Sequence, residues 1–239
     1  MTDPVFRLTG AESIERRGLR DHVYDRVLDV LLGPDIEPGM RLSIDAVARE
    51  LGVSPTPVRE ALVQLERTGL VTRVANKGYR VAPPLADDQL DALFDARLVL
   101  ESGAAALASA HEAALVPRLQ EALAAHEAMT VVVRAASTEG ELPVALLREY
   151  FAVDWNFHHL IFEGTHNPFL IDMSEAISTR VHRMRQTVQT GVSDADDAVV
   201  EHRAIVDAFA AGPESAAAAM RVHIERVRER SRRDSVRAR

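Results

Sequence analysis

The chain has 239 residues, a formal net charge of −8 and a hydrophobic fraction of 47%. This length suits one large domain or two small ones, and it allows a sizeable core. The sequence contains no cysteine, which excludes a disulfide scaffold, a thiolate zinc site and a thiol nucleophile. No apolar run is long enough to span a bilayer, and residues 1–20 lack the apolar stretch of a signal peptide. We therefore expect a cytoplasmic protein with no membrane partner.

The negative charge is not spread evenly along the chain. Residues 1–82 contain 12 basic and 12 acidic side chains, whereas residues 83–239 contain 16 basic and 24 acidic ones. Residues 41–80 alone carry seven basic and four acidic side chains, a net charge of +3. A locally basic segment on an acidic chain is a candidate phosphate-binding surface.

The first 82 residues predict a small α/β unit. Apolar spacing and turn residues predict helices over 19–32, 44–51 and 55–68 and strands over 70–74 and 79–82. Ser43 and Ser54 are the expected N-caps of the second and third helices, and Pro55 fits the first helical position. Asn76-Lys77-Gly78 is the hairpin turn. The order helix, short turn, helix and hairpin is that of a winged helix-turn-helix. Residues 1–16, before the first predicted helix, are a candidate disordered segment.

Beyond this unit the sequence predicts only helices. Pro83-Pro84 breaks the pattern and marks a linker over 83–86. Helices are expected over 87–111, 115–136, 142–164, 168–190, 195–211 and 213–233. The predicted fold class is therefore mainly α, with an N-terminal winged helix-turn-helix over 1–82 and an all-α antiparallel helical bundle over 87–234.

The third predicted helix has the properties of a DNA-reading element. The second helix of a helix-turn-helix pair enters a major groove about 12 Å wide with its N-terminal residues at the base edges. Its free backbone N–H groups attract phosphate, and Thr56 and Arg59 add side-chain donors. The alternative is that Arg49, Arg59 and Arg67 form surface salt bridges with the adjacent glutamates. We favour that alternative for Arg67, since exposed charges usually contribute little.

These residues resemble the N-terminal domain of the GntR family of bacterial transcription regulators. The resemblance covers about forty residues, RLSIDAVARELGVSPTPVREALVQLERTGLVTRVANKGYRV. It implies operator binding through Ser54, Thr56 and Arg59, with a wing at Lys77-Gly78 near the minor groove. Many members have Arg where this chain has Pro55, and some have a DNA-contacting Arg where it has Asp45. The contact set is thus thinner here, and Arg41 or Arg49 is the candidate to compensate.

Four polar residues interrupt apolar stripes of the helical region. Asp154 and His158 lie one turn apart on the same helix, and His202 and His223 lie on the apolar stripes of the last two helices. Such groups are costly to bury unless they satisfy each other or a cation. Three imidazoles and one carboxylate suit Zn²⁺, Ni²⁺, Mn²⁺ or Fe²⁺. The alternative is four unrelated core groups that hydrogen-bond to backbone. The remaining histidines His22, His111 and His126 are expected to face solvent.

The same region resembles the FCD effector-binding domain of the FadR-type GntR subgroup. The matching pieces are Arg97 to Glu101, Asp154 to His158, Asn167-Pro168, Glu201-His202 and His223. The resemblance implies that Asp154, His158, His202 and His223 hold a divalent metal, with a small carboxylic acid bound beside it. Arg97 is the candidate for the acid's carboxylate, and the alternative is that it pairs with Glu101 one turn away. His166 and His182 are candidates to line the pocket.

The sequence therefore predicts a ligand-responsive transcription regulator, a repressor that acts as a homodimer on a pseudo-palindromic DNA operator. Effector binding is expected to shift helix 87–111 and, through the Pro83-Pro84 linker, to change operator affinity. One alternative is a metalloenzyme, but we find no general base or nucleophile signature beside the metal set and expect no enzyme. The other is a dedicated metal sensor, whose operator affinity would follow the metal alone.

Overall fold

The structure is a computed structural model that describes residues 12–31, 36–75, 78–83, 85–111, 114–138, 142–187 and 194–237. The chain divides into two compact units, Met1–Pro83 and Pro84–Arg239. We refer to them as the head and the helical unit. The two are described separately below.

The head contains three helices and a small antiparallel sheet. Its elements are α1 (Glu12–Leu31), β1 (Arg41–Leu42), α2 (Ile44–Leu51), α3 (Pro55–Thr68), β2 (Val71–Val74) and β3 (Gly78–Val81). The sheet order is β1-β3-β2, with Leu42 opposite Tyr79 and Thr72 opposite Arg80. This arrangement is a winged helix-turn-helix, as predicted. The two-residue strand β1 was not predicted, because two residues are too few to show an alternating pattern.

Capping residues fix the turn between α2 and α3. The Ser43 hydroxyl accepts a hydrogen bond from the Ala46 N–H at 3.4 Å, which confirms it as the N-cap of α2. Gly52 ends α2 in the left-handed region, with φ 66°, and its N–H donates to carbonyl oxygens of the last turn. Ser54 occupies the N-cap position of α3 with extended backbone, and Pro55 follows at the start of the helix. The short turn therefore places the start of α3 directly after the end of α2.

The apolar faces of the head helices pack on the sheet. The buried residues of this core are Val23, Val27, Leu42, Ala48, Val58, Ala61, Leu62, Leu65, Val71, Tyr79 and Val81. On α3 these residues follow helical spacing, so one side of the helix faces the core and the opposite side faces solvent. The core thus fixes which side chains of α3 are presented outward.

The helical unit contains α4 (Asp87–His111), α5 (Leu115–Ser137), α6 (Val144–Glu163), α7 (Pro168–Thr187), α8 (Ala195–Ala210) and α9 (Pro213–Arg237). The predicted helices agree with these bounds to within four residues, apart from α1, which begins seven residues before its predicted start. Residues 188–193 lie outside the described residues. Among those that are described, no helix combines the length and apolar composition that a bilayer crossing requires.

All six helices contribute to one large core. Its most buried members include Phe94, Leu115, Leu119, Phe157, Ile161, Phe162, Ile205, Met220 and Ile224. Helices α4 and α9 run antiparallel, since Arg228 near the end of α9 donates a hydrogen bond to the Asp91 carbonyl near the start of α4. The polar cluster described below lies among the helices that surround this core.

Candidate functional site

The N-terminal end of α3 is an exposed polar surface. Ser54, Thr56 and Arg59 are all exposed. The Ser54 side chain makes no capping hydrogen bond, although its backbone occupies the N-cap position. Its hydroxyl and the Thr56 backbone N–H can therefore donate hydrogen bonds to an external anion, whereas Pro55 and Pro57 have no N–H to offer.

The arginines beside this surface are not engaged in ion pairs within the described part of the head. Arg41, Arg49 and Arg59 are exposed, and none of them pairs with a described carboxylate. The salt bridge that we favoured for Arg67 with Glu66 is likewise not formed among the described residues. That interpretation is therefore wrong for this structure.

The wing lies at the turn between β2 and β3. Gly78 has φ 81°, and a Cβ atom at this position would lie 3.7 Å from the Leu42 carbonyl oxygen. Glycine at position 78 therefore avoids backbone strain, whereas a side chain there would meet no steric clash. Lys77, the other predicted wing residue, lies outside the described residues.

The helical unit brings Asp154, His158, His202 and His223 together in its interior. Each has at most 3% of its surface exposed. The Nε2 atoms of His158 and His202 are 3.2 Å apart, and Asp154 Oδ1 lies 3.8 Å from His202 Nε2. One ligand atom from each of His158, His202 and His223 lies within 4.8 Å of the other two. The stripe argument therefore selected four residues that are neighbours in space although they come from three helices.

A buried glutamate on α4 orients His158. Glu101 Oε2 lies 2.7 Å from His158 Nδ1, and Glu101 Oε1 accepts a hydrogen bond from Arg97 Nε at 2.6 Å. Burial would raise the pKa of Glu101, but the Arg97 guanidinium and the His158 imidazole lower it to about 2. The ionised carboxylate favours a proton on His158 Nδ1, so that Nε2 keeps its lone pair.

A second glutamate orients His223 in the same way. Glu201 Oε2 accepts from His223 Nδ1 at 2.8 Å, and the two carboxylate oxygens also accept from Arg230 at 2.8 and 2.9 Å. Burial would raise the pKa of Glu201, but Arg230 and His223 lower it to about 2. The His223 Nε2 atom is buried without a hydrogen-bond partner among the described residues. Because Nδ1 is bonded to Glu201, His223 Nε2 is the ring nitrogen that is available to bind a metal ion.

Two imidazoles of this cluster, those of His202 and His223, favour the neutral form. Burial lowers the pKa of His223 to about 4, although the hydrogen bond to Glu201 opposes the change. Burial and the neighbouring His223 and His158 hold the pKa of His202 well below its ordinary value. A neutral imidazole is the form that binds a metal, so these rings are ready to act as ligands at neutral pH.

His126 is not solvent-facing, and the expectation that it would be is wrong. It is fully buried on α5, with Nδ1 at 3.1 Å from His202 Nδ1 and Nε2 at 3.8 Å from Asp154 Oδ1. It lies on the buried stripe of α5, with Leu119, Leu123 and Thr130. The spacing rule that identified His202 and His223 would have identified His126 as well.

The predicted effector residues differ in how far the structure describes them. Arg97 is 1% exposed and forms the buried pair with Glu101, so the alternative contact is present. Its Nη1 atom nevertheless has no hydrogen-bond partner among the residues described. His182 lies on α7, but its side chain is outside the described set. His166 is exposed in the turn after α6 with φ 53°, a conformation that suits glycine better.

The donor set fits a divalent metal ion. It offers three imidazoles and one carboxylate in the interior, and buried glutamates face the Nδ1 atoms of His158 and His223. Metal-ligating histidines commonly have such partners on their second ring nitrogen. Glu101 and Glu201 were not predicted as orienting groups, although each is an acidic residue on a buried helical stripe.

A winged helix-turn-helix with an exposed cationic face, followed by a helical unit with a buried polar cluster, defines the class of two-domain DNA-binding regulators. Comparison with known families agrees. Residues 19–81 match the profile described as "Bacterial regulatory proteins, gntR family", and residues 92–226 match the FCD domain. The second match alone covers more than half of the chain. The chain belongs to the GntR family of transcription regulators and carries an FCD domain.

Individual relatives are consistent with this assignment. The chain is 31% identical over 220 residues to the "Probable D-xylose utilization operon transcriptional repressor" of Paenarthrobacter nicotinovorans, covering 89% of this chain and 90% of the relative. It is 26% identical over 184 residues to the HTH-type regulator YdhC of Bacillus subtilis, covering 77% of each chain. Among solved structures, E. coli McbR/YncC matches with a TM-score of 0.68 and 22% identity, over 91% of this chain and 98% of the other. These families and relatives are transcription regulators, not enzymes.

Proposed function

We propose that this chain is an effector-responsive repressor that reads its operator through the start of α3. The observation that carries this proposal is the exposed N-terminal end of α3, where Ser54, Thr56 and Arg59 face solvent and Arg59 forms no ion pair among described residues. The Ser54 hydroxyl and the Thr56 backbone N–H are suited to phosphate, and the Arg59 side chain is suited to a guanine edge. Thr56 is suited to either role.

Residues outside α3 extend this surface. Arg41 on β1 and Arg49 on α2 are exposed cations without ion pairs in the described head, and they are suited to phosphate oxygens on either side of the groove. Gly78 belongs to the wing, and Lys77 is the basic residue beside it in sequence that is expected to approach the minor groove. These contacts replace those that relatives make at the positions of Asp45 and Pro55.

The helical unit holds a divalent metal, and Asp154, His158, His202 and His223 are its ligands. The donor types allow Zn²⁺, Ni²⁺, Mn²⁺ or Fe²⁺. When bound, such an ion supplies positive charge that attracts the carboxylate of a small organic acid. Arg97 Nη1 and His182 complete the effector site. The buried, uncommitted Nη1 donor favours an organic acid over a metal-only sensor.

The protein acts as a homodimer, in which two heads read a pseudo-palindromic operator. An uncharged outer face of α4 supports this, since helical spacing places on it the exposed residues Ala92, Ala96, Val99, Gly103, Leu107 and Ala110. Val99 is 74% exposed. A helix face of this length without a charge is unusual on a monomer surface, and a second copy would remove it from water.

The DNA part of the proposal is tested with the full chain and a duplex recovered by selection from a random-sequence pool. Arg59→Ala and Thr56→Ala should each weaken binding of this duplex by about 1–3 kcal/mol. Arg67→Ala is the matched control, because Arg67 is an exposed arginine on the same helix. Equal affinity of Arg59→Ala and the parent would contradict this assignment.

The effector part is tested by thermal unfolding with Zn²⁺ and a panel of small carboxylic acids. An acid that binds beside the metal should stabilise the parent much more than Asp154→Ala. The same acid should lower the affinity of the protein for its operator. An effector releases a repressor from DNA only if it binds the DNA-free form more tightly than the DNA-bound form. Operator affinity that follows Zn²⁺ alone, with no response to any acid that binds, would instead establish a metal sensor.

A further inference from the structure

His126 connects two of the residues that we propose as metal ligands. Its Nδ1 atom is 3.1 Å from His202 Nδ1, and its Nε2 atom is 3.8 Å from Asp154 Oδ1. Its ring also lies against Tyr150, with ring centroids 5.2 Å apart. The imidazole is fully buried on α5, a helix that contributes none of the four proposed ligands.

The positions of the protons follow from the direction of each ring. His202 turns Nε2 towards His158 and Asp154, so Nε2 must keep its lone pair if it is to bind a cation. A neutral imidazole has one N–H, and the His202 proton therefore lies on Nδ1. In this tautomer the N–H of His202 donates to His126 Nδ1, which is then the unprotonated nitrogen of His126. The proton of His126 then lies on Nε2, the nitrogen that faces the Asp154 carboxylate.

The other two histidines of the cluster have carboxylates at the corresponding position. Glu101 faces His158 Nδ1 and Glu201 faces His223 Nδ1. A group on the second nitrogen fixes both the tautomer and the ring orientation of a metal-binding histidine. His202 differs, because its partner is an imidazole rather than a carboxylate.

We propose that His126 is a positioning residue of the metal site, which accepts the Nδ1 proton of His202 and directs its own Nε2–H at Asp154. This inference rests on the proposed metal site and adds a fifth residue to it. Ligand atoms of His126, Asp154 and His202 also lie within 4.8 Å of one another. In the arrangement proposed, however, His126 Nδ1 accepts from His202 and Nε2 carries the proton, so neither ring nitrogen of His126 has a lone pair for a metal. The His126 ring thus fixes the position of Asp154 on α6 relative to His202 on α8.

Two substitutions separate this role from simple packing. His126→Asn keeps a hydrogen-bond acceptor near the position of Nδ1, whereas His126→Phe keeps a ring without nitrogen. Thr130→Val is the matched control, since Thr130 is buried one turn further along the same stripe of α5. The Zn²⁺ affinity of the full chain is measured by competition with a chromophoric chelator. His126→Phe should bind Zn²⁺ about 10- to 100-fold more weakly. His126→Asn should lie between His126→Phe and the parent, because it keeps the acceptor for His202 but loses the N–H directed at Asp154. Thr130→Val should stay near the parent.

Two further measurements keep the proposal open to refutation. Visible absorption of the Co²⁺-loaded protein should be the same for His126→Asn and the parent, because a positioning residue does not change the ligand set. A changed Co²⁺ spectrum would mean that His126 is itself a ligand, and the proposal would be wrong. Long-range ¹⁵N–¹H spectra of the Zn²⁺-loaded parent should show His126 protonated at Nε2 and His202 at Nδ1. This readout does not depend on any variant folding, and a proton on His126 Nδ1 would overturn the proposal.

Asp154→Ala distinguishes a failure of this inference from a failure of the metal site. If the parent binds Zn²⁺ and Asp154→Ala does not, the metal site stands, and unchanged affinity in His126→Phe would overturn only the role of His126. If parent and Asp154→Ala are equally poor at binding Zn²⁺, Ni²⁺, Mn²⁺ and Fe²⁺, the metal site fails and the role of His126 fails with it.

Discussion

Replacement of Glu201 by glutamine tests whether the buried polar network stabilises the helical unit. Glu201 accepts two hydrogen bonds from Arg230, at 2.8 and 2.9 Å, and one from His223 Nδ1 at 2.8 Å. A glutamine amide has one oxygen that accepts and one nitrogen that donates. Whichever way the amide is turned, its NH₂ group faces a donor from Arg230. The variant therefore loses at least one hydrogen bond and gains a repulsive contact.

The size of the effect follows from the pKa of the Glu201 carboxyl. Arg230 and His223 overcome the opposing effect of burial and lower this pKa from 4.5 to about 2. At about 1.4 kcal/mol for each tenfold change in proton affinity, the carboxylate contributes on the order of 3 kcal/mol to folding. Because the folded pKa is the lower one, this contribution is present above pH 4.5 and is lost as the pH falls towards 2.

Glu201→Gln should therefore lower the free energy of unfolding of the metal-free protein by roughly 3 kcal/mol at pH 7. Its difference from the parent should shrink as the pH falls from 4.5 towards 2. Trp155 is the only tryptophan of the chain and lies on α6, so its fluorescence during denaturant titration reports on the helical unit alone. Glu225→Gln on the exposed side of α9 is the matched control. A loss that is absent at pH 7, or the same at every pH, would refute the reasoning.

Three further outcomes are expected from the head and from the surface of α4. Gly52→Ala should destabilise the α2–α3 turn by about 1–2 kcal/mol through its left-handed backbone alone, which amide hydrogen exchange at the end of α2 would detect. Val99→Glu should shift sedimentation velocity towards monomer, whereas Val200→Glu, at a valine of similar exposure on α8, should not. Arg49→Ala should reduce the slope of log operator affinity against log salt by about 1 while changing unfolding by less than about 0.5 kcal/mol.

Helix positions could be predicted from the sequence because apolar spacing and turn residues are local signals. α4 is observed at its predicted bounds, and Ser43 caps α2 as expected. The start of α1 was missed by seven residues, since its first turns lack an apolar stripe to mark them. β1 was missed because its two residues form a strand only through pairing with β3. Such pairing depends on residues about forty positions away and leaves no local pattern.

The candidate site was predictable to a similar degree. A polar residue on an apolar stripe indicates that the helix buries it, which identified Asp154, His158, His202 and His223. The stripe does not show which residue on another helix faces it. His126 was wrongly assigned to solvent, and the contacts of Glu101 with His158 and of Glu201 with His223 could not be read from spacing. These contacts join residues of different helices, so they depend on how the helices pack and not on the spacing within any one helix.

The two units use their arginines in different ways. Eight arginines of the described helical unit form ion pairs within that unit: Arg97, Arg118, Arg134, Arg203, Arg226, Arg228, Arg230 and Arg232. In the head, Arg20 and Arg26 pair with Asp21 and Asp29. Four other arginines are exposed without an ion pair among the described residues of the head: Arg41, Arg49, Arg59 and Arg67. These four cations can therefore contact phosphates without breaking an existing ion pair. This explains how a chain of net charge −8 can bind DNA. The excess acidic charge lies in residues 83–239, whereas residues 41–80 of the otherwise neutral head carry a net charge of +3.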